Sequence, residues 1–187
     1  LSFFPTKNLG AFGDGGGVVT NDDALAEQMR MLRAHGWKKK YYSEMVGYNS
    51  RLDAMQAAIL QAKLPYLDSW NDKRRELAHR YTEKLISSGV VTPVEREWGR
   101  HVYHLYIVRS SKRAELQSLL KERGIASEVY YPLPPHLSIP CRKFGYKEGD
   151  FPHAELAAAQ TLALPLYPEL TETQQNGVIA GVMGMAG

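Results

Sequence analysis

Apolar residues recur at helical spacing in several stretches of the chain, separated by clusters of glycine, proline and short polar residues. Leu25, Met29 and Leu32 stand four and three apart, on one predicted helix face. The helix is preceded by Thr20-Asn21-Asp22-Asp23, which supplies capping residues in a Thr-x-x-Asp box. Ala34-His35-Gly36 should end it, and residues 37–48 read as a polar, aromatic loop. Asn49 or Ser50 is expected to cap a second helix with the apolar stripe Leu52, Met55, Ile59 and Ala62. Pro65 breaks or kinks that helix. A long amphipathic helix follows. It turns Leu67, Trp70, Leu77, Tyr81 and Leu85 inward, turns Lys73, Arg74, Arg75 and Glu76 mostly outward, and stops at Ser87-Ser88-Gly89.

The second half has a different texture. His101 to Arg109 alternates as a strand, Lys112 to Arg123 reads as a helix closed by Gly124, and Ile125 to Tyr130 reads as a strand. Pro132, Pro134, Pro135 and Pro140 mark a rigid loop. A helix over Pro152 to Thr161, a short strand over Leu162 to Leu166 and a last helix over Thr171 to Met183 complete the pattern. Thr171 caps that last helix, with Gln174 three residues on. Near the start, five glycines between Lys7 and Gly17 make a loop, and Val18-Val19-Thr20 reads as a short buried strand. The expected division is 1–88 and 89–187, the second part being a small α+β domain.

Composition narrows the class. With 187 residues, 44% hydrophobic and 23% charged, the chain has the ordinary globular balance. Its 23 basic and 20 acidic side chains are too even for an electrostatic nucleic-acid binder. The single cysteine, Cys141, excludes an internal disulfide and fits a reducing, cytoplasmic setting. No stretch is long or apolar enough to span a bilayer; the tail from Gly177 to Gly187 reads as a helix end. The first residues lack an initiator Met and a signal-like segment, so the chain is expected to be a fragment.

Several side chains could carry chemistry. Lys7 lies at the end of an extended segment, hemmed in by Phe3, Phe4 and Pro5. Restraint and desolvation make a lysine a usable nucleophile and base toward carbonyls. Taken alone, it reads as a surface lysine beside a turn. The glycine cluster matches neither nucleotide-binding glycine pattern, and a tight backbone turn into the next strand explains it better than a phosphate cradle does. Asn49, Arg51 and Gln56 open the second predicted helix, where an anion could sit or Asn49 could simply cap. His136 follows a proline-fixed run and could be held at a site or partly buried in the fold. Lys38-Lys39-Lys40 is a charge run of the kind usually solvated, with a phosphate-rich ligand as the other option. The six histidines form no metal signature, and Cys141 has no activating neighbour.

Three stretches acquire a joint meaning. Ser2-Phe3-Phe4-Pro5-Thr6-Lys7-Asn8-Leu9-Gly10, followed by Gly13-Asp14-Gly15-Gly16, resembles the pyridoxal-phosphate lysine segment of the DegT/StrS sugar-nucleotide aminotransferases. Gly47-Tyr48-Asn49-Ser50-Arg51-Leu52-Asp53, with Gln56-Ala57-Ala58, resembles the second signature of that family, in the same order and at a matching separation. Tyr130-Tyr131-Pro132 through His136, then Phe144-Gly145-Tyr146, resembles its small-domain loop. The similarity runs from residue 2 to about residue 175.

The resemblance implies an α/β fold of the aspartate-aminotransferase type, here its C-terminal part: the end of the large domain plus a small α+β domain. It implies that Lys7 forms the internal aldimine with pyridoxal 5'-phosphate and then shuttles the proton during transfer from an amino-acid donor, commonly glutamate, to a keto sugar nucleotide. Lysine rather than histidine at this position favours amino transfer over dehydration. The resemblance assigns Asn49 to the cofactor phosphate across a homodimer with shared active sites. It suggests substrate contacts for Arg51 and His136. The partner of the pyridine nitrogen, the stacking aromatic and the first phosphate loop belong to the family's N-terminal half, so this stretch alone is expected to be inactive. The same chemistry on a keto-cyclitol, or a non-catalytic regulatory remnant, are the competing readings.

Overall fold

The computed structural model describes residues 1–185, so the last two positions of the apolar tail lie outside the described residues. The chain divides into two compact units, Leu1–Asp68 and Ser69–Gly187. The expected division at 88/89 follows the end of the long helix, whereas the compact units part at its start.

In the first unit, α1 (Asp23–Leu32) begins at Asp22, whose carboxylate accepts the Leu25 backbone N–H at 3.0 Å. Thr20, expected in the cap, instead accepts from the Asp22 N–H. The helix ends where expected, but its predicted buried face is not buried: Leu25 is exposed. Val18 and Val19 form no strand, and Val19 is 80% exposed. Residues 37–48 are more ordered than a loop. β1 (Trp37–Lys39) and β2 (Tyr42–Ser43) pair antiparallel, Lys39 standing opposite Tyr42. Close backbone crossing beneath this hairpin requires glycine. Gly36 has φ +73°, and a Cβ on Gly47 would lie 2.0 Å from the Gly36 nitrogen.

α2 (Ala54–Lys63) starts at Asp53, whose carboxylate accepts from Met55 N–H at 2.8 Å. Asn49 and Ser50 are therefore not its caps. The predicted stripe is also displaced, since Met55 is 74% exposed and Leu60 is the buried residue. Pro65 sits in a 3-10 turn (Leu64–Tyr66) that leads into α3 (Leu67–Leu85).

The second unit holds the main core. β3 (Tyr106–Arg109) pairs antiparallel with β4 (Thr161–Leu164), Tyr106 opposite Leu164 and Val108 opposite Leu162. Single bridges add Val91 beside Arg109 and Glu128 beside Ala163. This sheet packs against α3, α4 (Arg113–Glu122) and α6 (Glu172–Met183) through Leu77, Tyr81, Leu85, Leu116, Leu120 and Val178. Burying each leucine contributes roughly 2 kcal/mol before entropy is counted. α5 (Pro152–Gln160) runs directly into β4. α6 carries the predicted capping box between Thr171 and Gln174.

Two sequence expectations fail here for one reason. Arg74 was expected outward but is buried, donating to the carbonyls of Tyr103, His104 and Leu166 at 3.0–3.3 Å. The strand expected from His101 starts only at Tyr106, because Tyr103 takes φ +41° and the guanidinium, not a neighbouring strand, accommodates these carbonyls. The strand expected over Ile125–Tyr130 is reduced to the Glu128 bridge.

Candidate functional site

Lys7 sits on a narrow turn at the mouth of a backbone loop. Phe3 N–H donates to Gly15 O at 2.8 Å and Gly17 N–H to Leu1 O at 3.1 Å, so the segments on either side of the loop run together. Within it, Lys7 N–H donates to Phe4 O and Ala11 N–H to Phe3 O, both at 2.8 Å. Lys7 is half-buried. The turn closes so tightly that a Cβ on Gly10 would lie 2.3 Å from the Pro5 carbonyl oxygen. The glycines thus serve backbone approach, the plainer of the two sequence readings.

A single face of α2, extended by the residue Leu52 ahead of it, braces this loop. Leu52 lies against Gly15, its Cδ1 3.2 Å from where a Cβ on that glycine would stand. Four residues on, Gln56 Oε1 accepts the Phe12 N–H at 2.8 Å. Leu60 is buried. Lys63 Nζ donates to Gly10 O and stands 5.6 Å from the Phe12 ring centroid. Positions 52, 56, 60 and 63 share one side of a helix. Lys63 escaped sequence reasoning. Its signal was its seven-residue spacing from Gln56, two turns along the same face.

Asn49 lies in the segment that leaves the hairpin. It bridges to Ala34, while His35 N–H donates to Tyr48 O at 2.8 Å and Ser50 N–H to Arg33 O at 2.9 Å. Asn49 and Arg51 are exposed. Because α2 begins at Ala54, Asn49 is held by strand-like pairing and not at a helix N-terminus, so the helix-dipole argument for an anion there does not apply.

His136 lies in the second unit, whereas Lys7, Asn49 and Arg51 lie in the first. It is 8% exposed, its Nε2 is 2.9 Å from Glu155 Oε1, and its ring packs against Phe151 with centroids 4.8 Å apart and planes tilted by 56°. Glu155 also accepts from Gly149 N–H. Burial pushes the Glu155 carboxyl up, but the Gly149 amide, His136 and the Phe151 amide together hold it below the ordinary value. Among the described residues, no group of three or more His, Cys, Asp or Glu is placed to hold a metal, and no helix is long and apolar enough to cross a membrane.

Comparison with known proteins gives these features a context. The model of the DegT/DnrJ/EryC1/StrS aminotransferase family matches residues 1–183. The chain is 56% identical over 181 residues to a pleiotropic regulatory protein of Geobacillus stearothermophilus, covering 95% of this chain and 49% of the relative. It is 48% identical to the dTDP-3-amino-3,4,6-trideoxy-alpha-D-glucose transaminase of Streptomyces venezuelae, over 97% of this chain and 48% of that protein. The crystal structure of S. venezuelae DesV in complex with a ketimine intermediate superposes with a TM-score of 0.94 at 47% identity, covering 99% of this chain and 50% of DesV. The chain spans about half the length of the curated relatives it matches. The α/β fold is thus that of the C-terminal half of these proteins. The chain belongs to the DegT/DnrJ/EryC1/StrS aminotransferase family.

Proposed function

We propose that this chain provides the lysine-bearing part of a pyridoxal-phosphate-dependent aminotransferase acting on a keto sugar nucleotide, with an amino acid such as glutamate as donor. The observation that carries it is the Lys7 turn, closed by Gly10 and braced by Gln56 and Lys63. A half-buried primary amine on a rigid turn fits the aldehyde of a phosphate ester, and the exposed carboxamide of Asn49 fits the phosphate of the cofactor held by the other subunit of a dimer. Lys7 Nζ would hold the cofactor through its aldehyde carbon, and the Asn49 amide would hold the phosphate of the cofactor in the other subunit. When bound, pyridoxal phosphate supplies an electron sink for the pair freed at the amino-bearing carbon. Once the donor's amine has displaced it, the free Lys7 Nζ would take the proton from the amino-bearing carbon and deliver it to the cofactor's former aldehyde carbon. The braced loop limits the positions this nitrogen can reach, which is where its contribution to rate arises.

Arg51, exposed beside Asn49, is assigned to the substrate phosphates or sugar. For His136, burial and the Glu155 bond support a role in holding the 130–151 loop in shape. Shared sites in a cytoplasmic homodimer complete the reading. The names of sugar-nucleotide transaminases among the relatives support the substrate class.

The test is borohydride reduction of the natural full-length protein with pyridoxal phosphate, followed by peptide mapping. An adduct on Lys7 is expected, and Lys7→Ala should abolish both adduct and amino transfer. A second reading, a regulatory protein, is favoured by the name of the Geobacillus relative. Retained biological effect in Lys7→Ala would decide for it.

A further inference from the structure

We propose that Lys63 is a positioning residue for Lys7 and that it acts through its charge. Its ammonium, answered by no acid, grips the Gly10 carbonyl and the Phe12 ring and so fixes the arm of the turn that follows the reactive amine. The inference rests on Lys7 being that amine, as proposed above.

Lysines at a helix end ordinarily run their stems along the surface and keep the ammonium in water. Lys63, the last residue of α2, does otherwise. Its Nζ is turned onto Gly10 O in a partly buried contact and stands 5.6 Å from the Phe12 ring centroid. None of the ion pairs among the described residues includes it. The carbonyl dipole and the ring face are what offset its partial desolvation.

The surroundings of Gly10 explain why a cation stands here. The position a Cβ would take on Gly10 is 2.3 Å from Pro5 O and 3.0 Å from Phe4 O. Two carbonyl oxygens of the incoming arm thus pack against this residue, while its own carbonyl faces the ammonium. Crowded carbonyl dipoles need a strong counter-charge, and a hydrogen bond from an ionised donor is about twice as strong as a neutral one.

Two side chains of α2 share the outgoing arm. Gln56 holds the Phe12 N–H and Lys63 holds the Gly10 carbonyl, while Ala11 between them donates to Phe3 O at 2.8 Å. Gln56 and Lys63 are about 10 Å apart along the helix axis, whereas Gly10 and Phe12 are near neighbours in the chain. Side chains lean toward the N-terminus of their helix, so a stem as long as that of lysine reaches back over the gap. Three consecutive residues, Gly10 to Phe12, are fixed in this way just beyond Lys7.

The test uses the full-length protein and three variants. Lys63→Met keeps the stem and removes the ammonium, Lys63→Gln offers a shorter neutral donor, and Lys63→Arg keeps a cation with N–H donors. Two quantities are read. One is the rate at which borohydride traps the Lys7 adduct at limiting pyridoxal phosphate. The other is amide hydrogen exchange at Ala11 and Phe12 in protein free of cofactor. Lys63→Met and Lys63→Gln should slow trapping about tenfold, the size expected for a lost charge-assisted hydrogen bond, and should speed exchange at both amides. Lys63→Arg should recover most of both losses. Unchanged trapping in Lys63→Met and Lys63→Gln overturns the proposal. Equal slowing in all three variants overturns it as well, because the loss then follows packing and not charge. A wild-type adduct with unaltered trapping in the variants rejects only the role of Lys63. No adduct in the wild type rejects the aminotransferase reading and this inference with it.

Discussion

Gln56 reaches from the first turn of α2 to accept the Phe12 backbone N–H at 2.8 Å, 44 residues away along the chain. Through that bond the second signature segment holds the loop that carries Lys7, by a side chain that carries no chemistry of its own.

Replacing Gln56 with Leu removes the acceptor and leaves the Phe12 amide to find water. A loss of about 1 kcal/mol is expected, together with slower trapping of the Lys7 adduct. Thermal unfolding and timed borohydride quenching measure the two. Destabilisation without slower trapping would show that the brace supports the fold and not the lysine.

Gly10→Ala is a sharper change. The new Cβ would meet backbone, the Pro5 carbonyl oxygen at 2.3 Å, so the turn itself must move. We expect a cost of about 2 kcal/mol or more and loss of the Lys7 adduct. Gly149→Ala provides the comparison: nothing lies within 4 Å of its Cβ position, and its φ of +90° leaves only backbone strain. Its effect on the adduct should be negligible.

Arg74→Met keeps most of the volume and deletes the donor to three carbonyls in the second unit. About 3 kcal/mol of stability should be lost by urea denaturation. The same change at exposed Arg96 should stay within about 0.5 kcal/mol. Equal effects at both positions would contradict a structural role for the buried cation.

Glu95 gives the second unit an acid limit. The Arg75 guanidinium, the His101 amide and His79 lower its carboxyl from 4.5 to about 2. Because the folded value lies below the unfolded one, ionised Glu95 stabilises the fold fully above about pH 4.5. That contribution fades as the pH falls toward about 2. The melting temperature should therefore drop across this window, and Glu95→Gln should flatten the slope there while lowering stability near neutrality. A pH profile identical to wild type would remove Glu95 from the account.

Much of this protein was legible in one dimension. The α6 box at Thr171 and Gln174, the left-handed stops at Gly89 and Gly124, and the Pro152 start of α5 are decided within a few residues of themselves. Local capping, backbone freedom and ring constraint act over one turn, so sequence is sufficient for them. The lysine segment and the Asn49 segment were likewise legible as motifs, because their residue order is the signal. Tertiary structure alone decided which side of α2 faces inward. An apolar count chose Leu52, Met55, Ile59 and Ala62, but the loop's amide and carbonyl needed polar partners, and Gln56 and Lys63 supplied them. Arg74 was turned inward by the same demand from Tyr103, His104 and Leu166. Hydrophobic patterning records what is driven out of water. It does not record which distant backbone group must be satisfied, and that requirement exists only once the chain has folded.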